Sequence, residues 1–293
     1  MGFLLILPYP VWAVTTVTSY TTNAASVPKF AKFESTFQIS RTFPAGSFLP
    51  YYFYDSSDTP SQYPGRNSPY GVDGISIDAV FTAPSGNTLK VPAFYFQDYQ
   101  RSGDTMTPTS NYSWKIRFAP QEVGQYSYYL SVQDKDGTSR YPATGSLSFQ
   151  STTSSLKGFI RVSQRDSRFF EFENGESFIP NGSGRQWWRP GRTTSYESSF
   201  TDFKNNNINF TRIWDQNDGY GLTVEGHFDG YKYPDDASLG GKDDVARALP
   251  KGTQMNQRGN YEEDIILNAA EQNGIYIQLC SHGDPYWIWD ASI

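Results

Sequence analysis

Between Lys29 and about Gln150 the chain alternates apolar and polar positions in short segments: KFESTFQIS, ISIDAVFTA, KVPAFYFQDY, SWKIRFAP, GQYSYYLSVQD and GSLSFQ. A period of two places one set of side chains on a buried face and the other in solvent, so each segment predicts a β-strand. Helical spacing is missing from the whole stretch. APSGN, between ISIDAVFT and TLKVP, supplies Pro and Gly for a tight connection, and DKDG does the same after YSYYLSVQD. Asp134, Asp136 and Gly137 resemble a calcium loop in composition but lack its twelve-residue spacing and closing Glu, which leaves a hairpin turn. Repeated strand and turn signals of this kind predict an antiparallel β-sandwich.

STTSSLKG, residues 151–158, is small and polar and reads as a linker. The pattern then changes. RFFEFENGESFIPNG predicts a hairpin across Asn174 and Gly175. SYESSFTDFKNNN offers a Ser cap and apolar positions at helical intervals, Phe200 and Phe203 among them. INFTRIW follows as a short buried strand, and a Gly- and Asp-rich loop runs from Asp215 to about Asn260. YEEDIILNAAEQNG predicts a helix with acids in its first turn, an apolar stripe of Ile265, Ile266, Ala269 and Ala270, and a Gly274 cap. IYIQLC lacks alternation, as a fully buried parallel strand does. Strand, helix, strand, helix, strand in succession implies a parallel sheet with right-handed crossovers. The expected division is a leader over 1–26, a sandwich module over 27–150, the linker over 151–158, and an α/β unit over 159–293.

In parallel α/β folds the chemistry gathers at the carboxyl ends of the strands, where the outgoing loops converge. Three such ends carry unusual residues: Asn181, Arg185, Trp187 and Trp188; then Arg212, Trp214, Asp215 and Asp218; then His282, Asp284, Tyr286, Trp287 and Trp289. Five of the seven tryptophans fall there, Trp12 and Trp114 being the exceptions, which predicts a shared polar and aromatic cleft. Trp187 or Trp287 plugging the mouth of the fold, and Arg212 pairing with Asp215 as a structural ion pair, are the competing readings.

Composition narrows the ligand. Aromatic residues make up 17% of the chain and charged residues only 18%, with 21 Tyr and 21 Phe, so the surface is tyrosine-rich and mostly uncharged. Such a surface suits neutral, hydroxyl-rich ligands, since aromatic faces cover sugar C–H patches while amides and carboxylates bond the hydroxyls. A β-rich protein that uses aromatics as strand formers is the plainer alternative. The net charge of -6 gives no basic footprint for nucleic acid. One cysteine, Cys280, excludes an intrachain disulfide, and two histidines, His227 and His282, make no zinc cluster, so neither metal nor cofactor is expected.

FLLILPYPVW, residues 3–12, is too short to span a bilayer and is followed by Ala13. It reads as a secretory signal without the usual basic start, so a secreted protein is expected, with no membrane contact once the signal is cleaved. TTVTSYTTNAAS has the composition of a leader. Sequons stand at Asn111, Asn181 and Asn209.

The segments FESTFQIS, DGISIDAVFTAPSGNTLKVPAFYF and WKIRFAPQEVGQYSYYLSVQD, followed by FFEFENGESFIPNG, NNINFTRIW and NGIYIQLCSHGD, resemble the start of a clan-A glycoside hydrolase carrying the N-terminal sandwich module called domain of unknown function 5060. The resemblance covers nearly everything after residue 27. It implies an immunoglobulin-like β-sandwich packed on an incomplete (β/α)8 TIM barrel with about three strands present. It also implies that Arg212 supports a nucleophilic carboxylate and that His282 contacts sugar hydroxyls; Trp187, Trp188, Trp214, Asp215, Asp218, Asp284 and Trp287, from the strand ends, are the other expected substrate contacts. The substrate would be a polysaccharide or oligosaccharide. In that clan the two catalytic carboxylates follow the fourth and seventh strands, whereas residues 159–293 cover roughly half of the about 250 residues of a barrel. Both are therefore expected beyond Ile293, with Asp218, Glu225 and Asp284 not replacing them, and the chain is expected to be inactive alone. The other expectation is a non-catalytic carbohydrate-binding or adhesion protein that holds glycan on Tyr52, Tyr54, Tyr95 and Tyr99, against which strand or interface packing is the favoured reading of those tyrosines.

Overall fold

The computed structural model describes residues 14–41, 75–134, 136–184, 193–214 and 257–280. They are mostly β-sheet, with two helices.

The N-terminal part builds two sheets. In one, β1 (Val17–Thr22), β3 (Phe33–Ile39), β7 (Thr105–Phe118) and β6 (Phe94–Ser102) lie in the order β1-β3-β7-β6, every neighbour antiparallel. In the other, β2 (Ser26–Pro28), β10 (Leu147–Thr152), β8 (Gly124–Asp134), β4 (Ile75–Thr82) and β5 (Thr88–Pro92) follow in that order, and β9 (Gly137–Tyr141) pairs with β8. The period of two is visible in the packing: Phe33, Phe37, Trp114 and Ile116 of the first sheet share one buried cluster with Ile77, Phe81, Tyr128 and Phe149 of the second. Phe33 stacks on Phe149 with ring centroids 4.1 Å apart, and Phe81 on Phe118 at 4.3 Å, so aromatic residues bridge the layers. The APSGN connection joins β4 to β5, and the DKDG connection joins β8 to β9. Asp134 there accepts the Asp136 N–H at 2.9 Å and the Thr15 N–H at 3.1 Å, the work of a turn and not of a cation site.

Three expectations change here. The stretch that reads as a leader contains β1, whose Tyr20 and Thr22 pair with Phe37 and Ser35 of β3. The sheets are not purely antiparallel, because β2 runs parallel to β10. Ser151 and Thr152 belong to β10, and Ser151 is fully buried, so the small polar run after residue 152 is shorter than composition suggests.

The second part begins with a small antiparallel sheet of β11 (Ile160–Val162), β12 (Phe170–Phe172) and β13 (Ser177–Phe178), the last two joined across Asn174 and Gly175. Glu171 at its centre is buried and accepts hydrogen bonds from the Ser163 hydroxyl at 2.8 Å, the Gln164 N–H at 3.3 Å and the guanidinium of Arg161 at 3.1 Å. Those donors, the Ser163 hydroxyl first, hold its carboxyl down to about 2.

Then come β14 (Gly182–Gly184), α1 (Thr193–Asn205), β15 (Phe210–Trp214), α2 (Gln257–Asn273) and β16 (Tyr276–Cys280), with β14-β15-β16 forming a parallel sheet. Tyr196, Phe200 and Phe203 of α1 and Ile266, Ala269 and Ala270 of α2 bury against Ile213 and Ile275. The first parallel strand is Gly182–Gly184 and not the ESFIPNG run, which belongs to the hairpin. At 182 any Cβ would stand 2.9 Å from the Phe210 ring, so the close approach of the two strands requires glycine.

Both helices start earlier than their patterns suggest. α1 begins at Thr193, and in place of a Ser cap the Asp104 carboxylate, from the turn between β6 and β7, accepts the Thr194 N–H at 2.9 Å and the Thr193 hydroxyl at 3.0 Å. α2 begins at Gln257, so no acid lies in its first turn. Glu262 instead pairs with Arg258 one turn away, and Asp264 with Arg117 of β7. Gly274 ends α2 with a φ of +69°, and the Ile275 N–H reaches the Ala270 carbonyl at 2.9 Å. β16 is not fully buried: Ile275 just before it is 5% exposed, but Leu279 is 46% exposed, since among the described residues β16 has β15 alone as a neighbour.

Candidate strand-end site

Of the expected strand-end side chains the structure describes two: Asn181, which stands before β14 at its amino end and not at a carboxyl end, and Arg212 on β15. Successive strand residues point to opposite faces. Ile213 packs into the helix-facing core, so Arg212 projects from the other face, where it is half-buried in register with Gly184 and Gln278. Thr211 fixes the register further by donating its hydroxyl to the Ser183 carbonyl at 2.9 Å.

The two ends of that face differ. At the amino end, Phe210 and Tyr276 stand side by side, and the Tyr276 ring lies 5.3 Å from Phe172 and 5.1 Å from Phe178. The β12-β13 hairpin thus closes the amino end with aromatic rings. Asn181 and Asn209 tie the entry to the sheet: the Asn209 side chain accepts the Asn181 N–H at 2.8 Å and donates to the Ile179 carbonyl at 3.0 Å, which leaves the Asn209 sequon committed to structure. The carboxyl end carries Arg212 and no such plug among the described residues.

At that end Trp214 lies opposite Cys280, one residue pair beyond the Gly184, Arg212 and Gln278 row. The segments that follow therefore leave from neighbouring strand ends. Trp187, Trp188, Asp215, Asp218, His282, Asp284 and Trp287 lie outside the described residues, as do Arg185, Glu225, Tyr286 and Trp289. Among the described residues no three His, Cys, Asp or Glu side chains gather as a metal site would require, and no helix is long and apolar enough to cross a membrane.

Pattern reading missed the grip of the first sheet on the helices. Arg101 holds Glu197 of α1 through two bonds of 2.7 and 2.6 Å, and Arg117 holds Asp264 of α2 through two of 2.5 and 2.7 Å. The Tyr261 hydroxyl donates to the Tyr99 carbonyl at 3.0 Å, and the Gln97 N–H donates to Gln257 at 3.0 Å. The Gly-Asp turn in QRSGDTMT is the signal that marks this hairpin. Tyr99 packs on Tyr261 at 5.1 Å, and Tyr95 stacks on Tyr112 at 5.8 Å, in line with the packing reading of these two tyrosines. Burial pushes both hydroxyls up to about 12. Tyr52 and Tyr54 lie outside the described residues.

Beside this interface a cavity of about 450 Å³ opens on the outer face of β3, β7 and β6, lined by Thr36, Gln38, Phe96, Asp98, Asn111 and Lys115 among others. Lys115 is paired with Glu34 at 3.0 Å and lies 4.0 Å over the Phe96 ring.

Residues 56–133 match the family model described as Domain of unknown function (DUF5060), a span that includes β4 to β7 and nearly all of β8. The chain is also similar to a crystal structure described as a "putative glycoside hydrolase" from Bacteroides vulgatus ATCC 8482, with 15% identity and a TM-score of 0.54. The likeness covers 87% of this chain and 40% of that one, so the chain spans well under half of the protein it resembles, and what they share is a fold. A search of curated proteins finds no match.

Proposed function

We propose that the chain is the N-terminal portion of a secreted glycoside hydrolase that cleaves O-glycosyl bonds in a polysaccharide. The two-sheet part, β1 to β10, is then an immunoglobulin-like accessory module, and β14, α1, β15, α2 and β16 are the opening of a (β/α)8 barrel of the clan-A type. The observation that carries this reading is the parallel register of β14, β15 and β16: it sends three aromatic and polar segments off neighbouring strand ends, with Arg212 on the face turned away from the helices. The match to the accessory-module family and the fold shared with the Bacteroides vulgatus protein support it.

In the reaction, a retaining pair of carboxyl groups about 5 to 5.5 Å apart acts as nucleophile and acid/base around an oxocarbenium-like transition state. Both belong to the parent protein beyond Ile293. Arg212 supports the nucleophile, because a fixed guanidinium keeps a neighbouring carboxylate ionised and oriented. Trp187, Trp188, Trp214 and Trp287 cover sugar faces, and Asp215, Asp218, His282 and Asp284 bond hydroxyls.

The test is expression of the open reading frame continued past Ile293, assayed for reducing-sugar release on neutral polysaccharides. Release by the longer protein, lost on Arg212→Ala and absent from the 293-residue chain, is the expected result. Hydrolysis by the 293-residue chain, or a longer protein that releases nothing, overturns the reading. Cell fractionation with intact-mass analysis of the N-terminus tests secretion separately.

A further inference from the structure

We infer that the cavity on the outer face of β3, β7 and β6 is a binding subsite for a neutral oligosaccharide, set on the rim of the same face from which the strand-end segments leave. The inference deepens the glycoside hydrolase reading and rests on it for the identity of the ligand.

Position is the first argument. A helix that follows a parallel strand runs back along the sheet, so its N-terminus lies at the carboxyl end of the strands. The β6-β7 hairpin holds the first turns of both helices: Asp104 caps Thr193 and Thr194, Arg101 pairs with Glu197, and Gln97 and Tyr99 bond Gln257 and Tyr261. The hairpin therefore borders the carboxyl-end face. Phe96 links the two places, since it lines the cavity and its ring lies 6.0 Å from Tyr261.

Chemistry is the second. About 450 Å³ falls within the range of small-ligand sites. Hydroxyl and amide groups dominate the lining, and the side chains of Thr36, Ser110, Asn111 and Ser113 make no hydrogen bond to another described residue. The one cation of the lining is already committed, since Lys115 is shared between Glu34 and the Phe96 ring. An anionic ligand therefore finds no uncommitted cation among the lining residues, whereas a polyol finds donors and acceptors. Strand addition by a peptide is disfavoured, because β7 at the centre of the cavity already pairs on both sides, with β3 and β6.

The experiment is isothermal titration of the 293-residue chain with cellohexaose, xylohexaose and mannohexaose, and with hexagalacturonate as the charged control. At least one neutral hexaose should bind. Asn111→Ala, at an exposed position, should weaken it at least tenfold, and Ser110→Trp should abolish it by filling the space. No neutral binding, preference for hexagalacturonate, or affinity untouched by both cavity variants overturns the inference. Binding without hydrolysis in the longer protein would defeat the enzymatic reading and leave this subsite standing.

Discussion

Arg117 on β7 and Asp264 on α2 meet through paired bonds of 2.5 and 2.7 Å, and the same guanidinium reaches Glu34 on β3 at 2.7 Å. Both side chains of the first pair are about three-quarters buried, so solvent screens them weakly. Arg117→Ala strands Asp264 and leaves Glu34 with Lys115 alone, and should destabilise the protein by about 2 kcal/mol, whereas Asp264→Ala, which leaves Arg117 on Glu34, should cost about 1 kcal/mol. Chemical denaturation of both single variants and the double variant, read as a mutant cycle, measures the coupling.

Asp104 caps a helix that lies far along the chain. Asp104→Ala should cost about 1 kcal/mol, and Asp104→Asn less, because an amide oxygen still accepts the Thr194 N–H. Hydrogen exchange of the Thr194 amide should accelerate in the Ala variant while the β4 amides keep their protection.

Glu171 sets part of the acid limit. Its carboxyl is held down to about 2 in the folded chain, against an ordinary value of 4.5, first by the Ser163 hydroxyl. A depressed folded value means that its contribution is complete above about pH 5 and is lost as pH falls from about 4.5 through about 2. Glu171→Gln should therefore be less stable than the native chain at pH 7, with the gap closing toward pH 2. Urea midpoints measured across that range give the two curves.

Gly158 sits in the segment between the two parts, with a φ of +84°. A Cβ there would stand 2.8 Å from the Phe30 ring and 2.9 Å from Glu173. Gly158→Ala combines backbone strain with overpacking and should cost about 2–3 kcal/mol, read from the thermal midpoint.

The two-sheet part was legible because its central strands alternate: β8 reads half-buried and buried in turn along nearly its full length, as GQYSYYLSVQD implies. The parallel β15 was legible from its apolar run. β14 was not, since GSG has no hydrophobic signature and becomes a strand only through its pairing with β15. β1 was hidden by a threonine-rich composition that suits a strand as well as a leader. The helix starts were misread because propensity marks the apolar stripe, while the first turns are set by partners on another sheet, Asp104 for α1 and the β6 backbone for α2. Of the strand-end residues, Arg212 was indicated by its place at the end of an apolar strand, while its face emerges only from the packing of Ile213 against the helices.

The Asp104 cap also orders events during synthesis. Chains fold from the N-terminus as they emerge, and the β6-β7 turn leaves the ribosome well before Thr193. By the time α1 can nucleate, the acceptor for its first free amide already stands on an assembled layer, so the leading domain serves as a template on which the later helix begins.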